Sequence, residues 1–271
     1  MDTRVLTRQF ERMGARLTIT LGPVNQRTPR MTEACTIDID QDRKGEIFVV
    51  KFRPDSVDNL ELFATDVRPS KRHLLLNSRP LGEIDADKVK ILCGHDERHW
   101  FAANIPPVNG ISTIEDAMEA LKPPIARISQ REAGVKPKDW NDRKNAGFIR
   151  QGEWFFIPEP RFNPFGMVLH DEPIRRGNGK PHIVQYLSRS AGEAVYVSPM
   201  HPTPLTQGQY NRLLGRNEKA RKWTWELMRR NPVVYAFGKV RHADHATIRL
   251  PFWHRVVMSG EQVGRNVAFL D

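Results

Sequence analysis

The feature that most constrains this chain is a short-range alternation of apolar and polar residues that recurs along its length. Leu17, Ile19 and Leu21 alternate, as do Ile37 with Ile39, and then Phe48, Val50 and Phe52. An apolar side chain at every second position is the period of a half-buried strand, because successive strand side chains point to opposite faces. Between the last two runs lies Asp40-Gln-Asp-Arg-Lys-Gly45, a polar turn suited to a hairpin. Further strands are expected at 60–67, 73–76, 89–93 and 100–105, at spacings that suggest a meander or small barrel.

Helical spacing interrupts this pattern in two places in the first half. Val5, Leu6, Phe10 and Met13 share one helical face, and Gly14 follows as a stop. Thr113-Ile-Glu-Asp116 opens a second helix through Leu121, which Lys122-Pro123-Pro124 closes. The threonine hydroxyl can accept from exposed amides, and the acidic side chains favour the positive helix end.

Residues 129–146 are polar and aperiodic and read as a linker. They separate an N-terminal β-rich domain, 1–128, from a C-terminal one, 147–271. The second domain opens with Gly152-Glu-Trp-Phe-Phe-Ile157, a dense aromatic strand. More strands are expected near 165–170, 182–188, 193–198, 233–238, 245–250 and 253–258. Thr206-Gln-Gly-Gln209 matches a capping box, so a helix is expected over 206–230, whole or broken at Gly215, ended by Asn231-Pro232. The fold class is α+β and β-rich: two small, mostly antiparallel sheets or partial barrels, each with one or two helices.

Charge is distributed unevenly over these domains. The chain carries 42 Lys plus Arg against 32 Asp plus Glu, a formal +10, yet residues 1–145 hold 24 basic and 22 acidic side chains while 146–271 hold 18 and 10. The excess therefore belongs to the C-terminal domain, and a basic surface attracts phosphate backbones through counterion release. No run of about 18 apolar residues occurs, so neither a membrane span nor a secretory leader is expected, and the chain reads as cytoplasmic. Cys35 and Cys93, the only cysteines, fit free thiols in a reducing compartment.

Several basic groups are candidate nucleic-acid contacts. On the expected helix, Arg212, Arg216, Lys219, Lys222 and Arg230 fall on one stripe, with Trp225 available for base stacking. Arg175, Arg176 and Lys180 flank Gly177 and Gly179, whose backbone amides suit a phosphate, although the spacing is not that of a Walker loop. Lys239 with Arg241, and Arg249 with Arg255, add two further pairs.

Six of the nine histidines also lie in this part of the chain. His182, His242, Asp244, His245 and His254 are the candidate catalytic groups. One imidazole can take a proton while another gives one up, with Lys180 or Arg241 stabilising a pentavalent phosphate. No zinc spacing such as His-Glu-x-x-His occurs, and no metal or cofactor is assigned. In the N-terminal domain, Cys93-Gly-His-Asp-Glu-Arg-His99 reads as a polar hairpin turn in preference to a zinc site or a thiol nucleophile.

Three phrases, Cys93-Gly-His-Asp-Glu-Arg-His-Trp-Phe101, Arg150-Gln-Gly-Glu-Trp-Phe-Phe156 and Arg241-His-Ala-Asp-His-Ala-Thr-Ile248, resemble pieces of uncharacterised bacterial proteins. That resemblance implies no activity and carries over no site. The leading expectation is a nucleic-acid-binding protein, with RNA or single strands favoured, whose N-terminal domain positions a protein partner or substrate. The alternatives are a metal-independent ribonuclease or other histidine-based hydrolase, and a scaffold or interaction subunit of a bacterial assembly.

Overall fold

The computed structural model describes residues 3–22, 35–54, 57–81, 89–176 and 179–261. The chain is mixed α+β, with its strands spread over several small and mainly antiparallel sheets, none closed into a barrel. It divides into two compact units. One holds the described residues up to Ile157 with Ala243–Ala246 and those from Val257 on, and the other holds Pro158–His242 and Thr247–Val256.

In the first unit, α1 (Thr3–Arg12) precedes β1 (Leu17–Leu21), β2 (Cys35–Asp42) and β3 (Gly45–Phe52). The sheet order is β1-β3-β2, with β1 parallel to β3 and β2 antiparallel to it. Asp42 faces Gly45 across the expected hairpin turn, where Gly45 takes a φ of 106° that a side chain would resist. A four-stranded antiparallel meander follows: β4 (Leu60–Arg68), β5 (His73–Pro80), β6 (Val89–Asp96) and β7 (His99–Asn104). Leu6, Phe10 and Met13 from the N-terminal region join Ile37, Phe48, Phe52, Leu74, Leu76 and Cys93 in one core. The alternation along these strands makes that core, since each sends every second side chain inward.

The expected second helix is α2 (Ile114–Leu121), and Thr113 and Asp116 form the capping box reciprocally. Immediately after it, α3 (Pro124–Glu132) occupies the start of the stretch read as a linker. Its Gln130 side chain is buried and donates to the Trp140 carbonyl at 2.8 Å. The hairpin of β8 (Ile149–Gln151) and β9 (Trp154–Pro158) places Phe155 and Ile157 in a core with Ala126 and Phe148.

The second unit contains β10 (Val168–Ile174), β11 (His182–Ser190), β12 (Glu193–Ser198), β13 (His201–Thr206), α4 (Gln207–Arg216), β14 (Glu226–Arg230), β15 (Val233–Arg241) and most of β16 (Ile248–Met258). Four of these strands run antiparallel in the order β10-β11-β15-β16, and three in the order β13-β12-β14. The helix expected over 206–230 is corrected here. Thr206 and Gln209 do form the capping box, but α4 ends at Arg216. The Asn217 side chain then caps a short 3-10 turn, Glu218–Lys222. The remaining residues extend as β14, pairing Arg230 to Glu193 and Met228 to Val195. An available strand edge outweighed the modest helical preference of this stretch, because propensity is a weak prior against tertiary pairing. The single basic stripe therefore does not form: Arg212 and Arg216 stay on α4, Lys219 and Lys222 sit on the 3-10 turn, and Arg230 lies on a strand. Expected strands 245–250 and 253–258 are one continuous strand, β16.

Candidate nucleic-acid interface

Strands β10, β11, β15 and β16 of the second unit present two unlike faces. Val184, Leu187, Ala236, Val240, Leu250 and Val256 are buried on one side. The residues alternating with them carry rings. His170 is opposite Tyr186, and Tyr186 is opposite Phe237, so three successive strands each place an aromatic group in the same cross-strand row. Ring centroids are 5.0 Å apart for His170 and Tyr186, 5.4 Å for Tyr186 and Phe237, and 5.7 Å for Phe237 and Trp253 of β16. Phe162 continues the row, 5.6 Å from Trp253 and stacked on Tyr235 at 3.6 Å. The rings stay partly exposed. Cross-strand aromatic pairs stabilise a sheet and also leave π-faces to a ligand.

Two register shifts shape the middle of this face, one on β11 between Val184 and Tyr186 and one on β15 between Ala236 and Gly238. Gly238 has φ +86°, and a Cβ there would lie 2.6 Å from the Gln185 side-chain oxygen. That oxygen accepts the Lys239 backbone N–H at 3.0 Å, tying the two irregular points together. Bulges bend a strand and re-aim the side chains beside them. Here they open a cleft of about 440 Å³ lined by Gln185, Tyr186, Phe237, Lys239, Arg249 and Pro251. Lys239 and Arg249 are register partners and both are exposed.

The expected basic contacts fall into different situations. Arg175, Arg176 and Lys180 follow β10 and precede β11, and Gly177 and Asn178 between them lie outside the described residues. Arg241 pairs with Asp171 at 2.5 Å, and Arg230 pairs with Glu193. Arg212, Arg216, Lys219 and Lys222 are exposed. Trp225 is half-buried and donates its indole N–H to the Ala220 carbonyl at 2.9 Å, beside Tyr210 and Trp223. It is thus part of a packed aromatic group, and the rings best placed for stacking are those on β10, β11, β15 and β16.

The histidine candidates also divide. His182 and His242 stack, with centroids 4.1 Å apart and planes 23° from parallel. His182 is buried, and His242 donates from Nε2 to the Lys180 carbonyl at 3.3 Å. His254 does not join them: its register partner is Ala236, six residues before His242, which is about 20 Å along a strand. Its Nδ1–H donates to the Phe252 carbonyl at 2.7 Å, and burial pushes its pKa below the ordinary imidazole value. Immediately after His242 the chain enters the first unit, at Ala243–Ala246. There Asp244 lies 3.9 Å from His99 Nε2, and His245 Nδ1 lies 3.7 Å from Glu97.

In the first unit, Cys35 and Cys93 are both buried thiols, and burial raises Cys35 to about 12. His95 packs edge-on against Trp100 at 4.9 Å, and His99 Nδ1 lies 2.7 Å from Glu46. The segment does form a hairpin turn, with Asp96 opposite His99, but its charged groups pair outside the turn: Asp96 and Glu97 with Arg143, and His99 with Glu46.

Nothing local in the sequence marks Tyr186, and Phe237 and Trp253 are legible there only as strand residues. Their common face depends on register, which two bulges shift. No helix among the described residues is long and apolar enough to cross a membrane. In comparisons with known proteins, no family model, no curated protein and no solved structure matches this chain, so the reading of its function rests on the geometry above.

Proposed function

We propose that the protein binds single-stranded nucleic acid, RNA foremost, on the aromatic face of β10, β11, β15 and β16. The observation that carries this reading is the row of His170, Tyr186, Phe237 and Trp253 across four neighbouring strands, half-exposed and flanked by Lys239 and Arg249. Every base has a π-face, so such a row takes unpaired bases with little regard to sequence, while cations alongside hold the phosphates. Bases paired in a duplex are stacked on one another and cannot lie on the rings. Phe165, in the loop before β10, is 95% exposed and adds a further ring with no packing role of its own.

The test is fluorescence anisotropy of a short labelled single-stranded RNA. Phe237→Ala and Tyr186→Ala should each weaken binding by about 1–3 kcal/mol, the range for losing one base-stacking ring. The same strand annealed to its complement should bind more weakly. Alanine variants that bind as tightly as the parent would overturn the proposal.

Stacked His182 and His242 beside Lys180 support a second reading, metal-independent cleavage of the bound strand. It requires that RNA be cut in the presence of chelator and that His242→Ala stop the cutting. An intact strand after prolonged incubation leaves the binding reading alone.

A further inference from the structure

The cleft in the aromatic face contains an arrangement that is unfavourable for the protein by itself. Lys239 and Arg249 sit directly opposite each other on β15 and β16. Like charges in that position repel. Both are exposed, and no carboxylate pairs with either among the described residues. Two other strand cations of the same sheet do have carboxylate partners: Arg189 meets Glu172 at 3.0 Å, and Arg241 meets Asp171. The unbalanced pair stands at the one position where two bulges have opened the sheet face, above the rings of Tyr186 and Phe237. Gln185 and Gly238 maintain that opening at the expense of regular pairing.

We infer that this cleft is a site for a single nucleotide bearing a terminal phosphate monoester, with the phosphate between Lys239 and Arg249 and the base on Tyr186 and Phe237. Two facing cations match the roughly dianionic charge of a phosphate monoester at neutral pH better than the single charge of a backbone diester. A volume of about 440 Å³ suits one nucleotide and not a length of strand. This deepens the strand-binding reading and rests on it for the biological context, since it assigns the cleft to a phosphorylated strand end.

Calorimetric titration and thermal melting of the full chain test it, with adenosine 5′-monophosphate, adenosine and inorganic phosphate as probes. The monophosphate should bind and raise the melting temperature, while adenosine and inorganic phosphate should each bind about tenfold more weakly or worse. Lys239→Met and Arg249→Met should each melt higher than the parent without ligand, because the repulsion is gone, and each should lose about tenfold or more in monophosphate affinity. The inference is overturned if the monophosphate fails to bind, if inorganic phosphate binds equally well, or if the methionine variants keep full affinity. A strand without a terminal phosphate separates the two readings. If it binds while the monophosphate does not, only this inference fails, and if neither binds, both fail.

Discussion

His254 shows how one residue changes meaning between sequence and structure. In the sequence it is a candidate acid or base, but in the fold it is a buried strand residue whose proton is committed to the Phe252 carbonyl. Burial lowers its pKa from the ordinary value of 6.5, so the unfolded chain takes up a proton before the folded one does. The stability it contributes is therefore complete above about pH 6.5 and declines as the pH falls below that value. His73, half-buried, is shifted in the same direction by desolvation and adds to the decline. Melting temperatures recorded from pH 7 to 5 should fall, and His254→Asn, which keeps a donor near Nδ1 but does not titrate, should flatten part of that fall. An unchanged slope in the variant would show that the fold leaves the His254 pKa where the unfolded chain has it.

At the scale of elements, helix starts were legible and helix ends were less so. Thr113 with Asp116 and Thr206 with Gln209 form the reciprocal caps that their spacing predicts, because a capping box involves only residues three apart. The end of α4 was not legible, because residues 226–230 are extended only by virtue of the β12 edge they meet. Bulges were likewise hidden, and the one at Gly238 shapes the candidate site. A side chain there would meet the Gln185 oxygen at 2.6 Å and would hold an unfavourable positive φ. Gly238→Ala should therefore cost about 1–3 kcal/mol in chemical denaturation and weaken strand binding, because the register of Tyr186 against Phe237 depends on that bulge. Gly215→Ala, at a helical position where a Cβ meets nothing within 4 Å, is the matched control and should be neutral or stabilising.

For the molecule as a whole, the charge asymmetry predicts how binding responds to salt. Each phosphate neutralised releases counterions, so the logarithm of affinity for a single strand should fall with the logarithm of salt concentration by about 0.7 per contact. Lys239 and Arg249 alone give a slope near −1.4, and a steeper slope would show that exposed cations on α4 and the adjoining 3-10 turn also take part. Affinity that ignores salt would contradict the proposed function. Stacking by Tyr186 and Phe237 should persist as the remainder at high salt, because it does not depend on counterions.

The sequence by itself determined what is local. Alternation at Phe48, Val50 and Phe52 specified a strand, Thr113 and Thr206 specified helix starts, and the composition after residue 145 specified a basic half. These follow from periodicity, hydrogen bonding over a few residues and charge counting, none of which needs a partner distant in the chain. Tertiary structure alone decided which strands are neighbours, and so brought His170, Tyr186, Phe237 and Trp253 into one row and set Lys239 against Arg249. It also set His254 apart from His242 and extended the stretch after Lys222 as a strand. A one-residue change of register turns every following side chain to the other face of a sheet, so a site made of cross-strand neighbours exists only once the pairing is fixed.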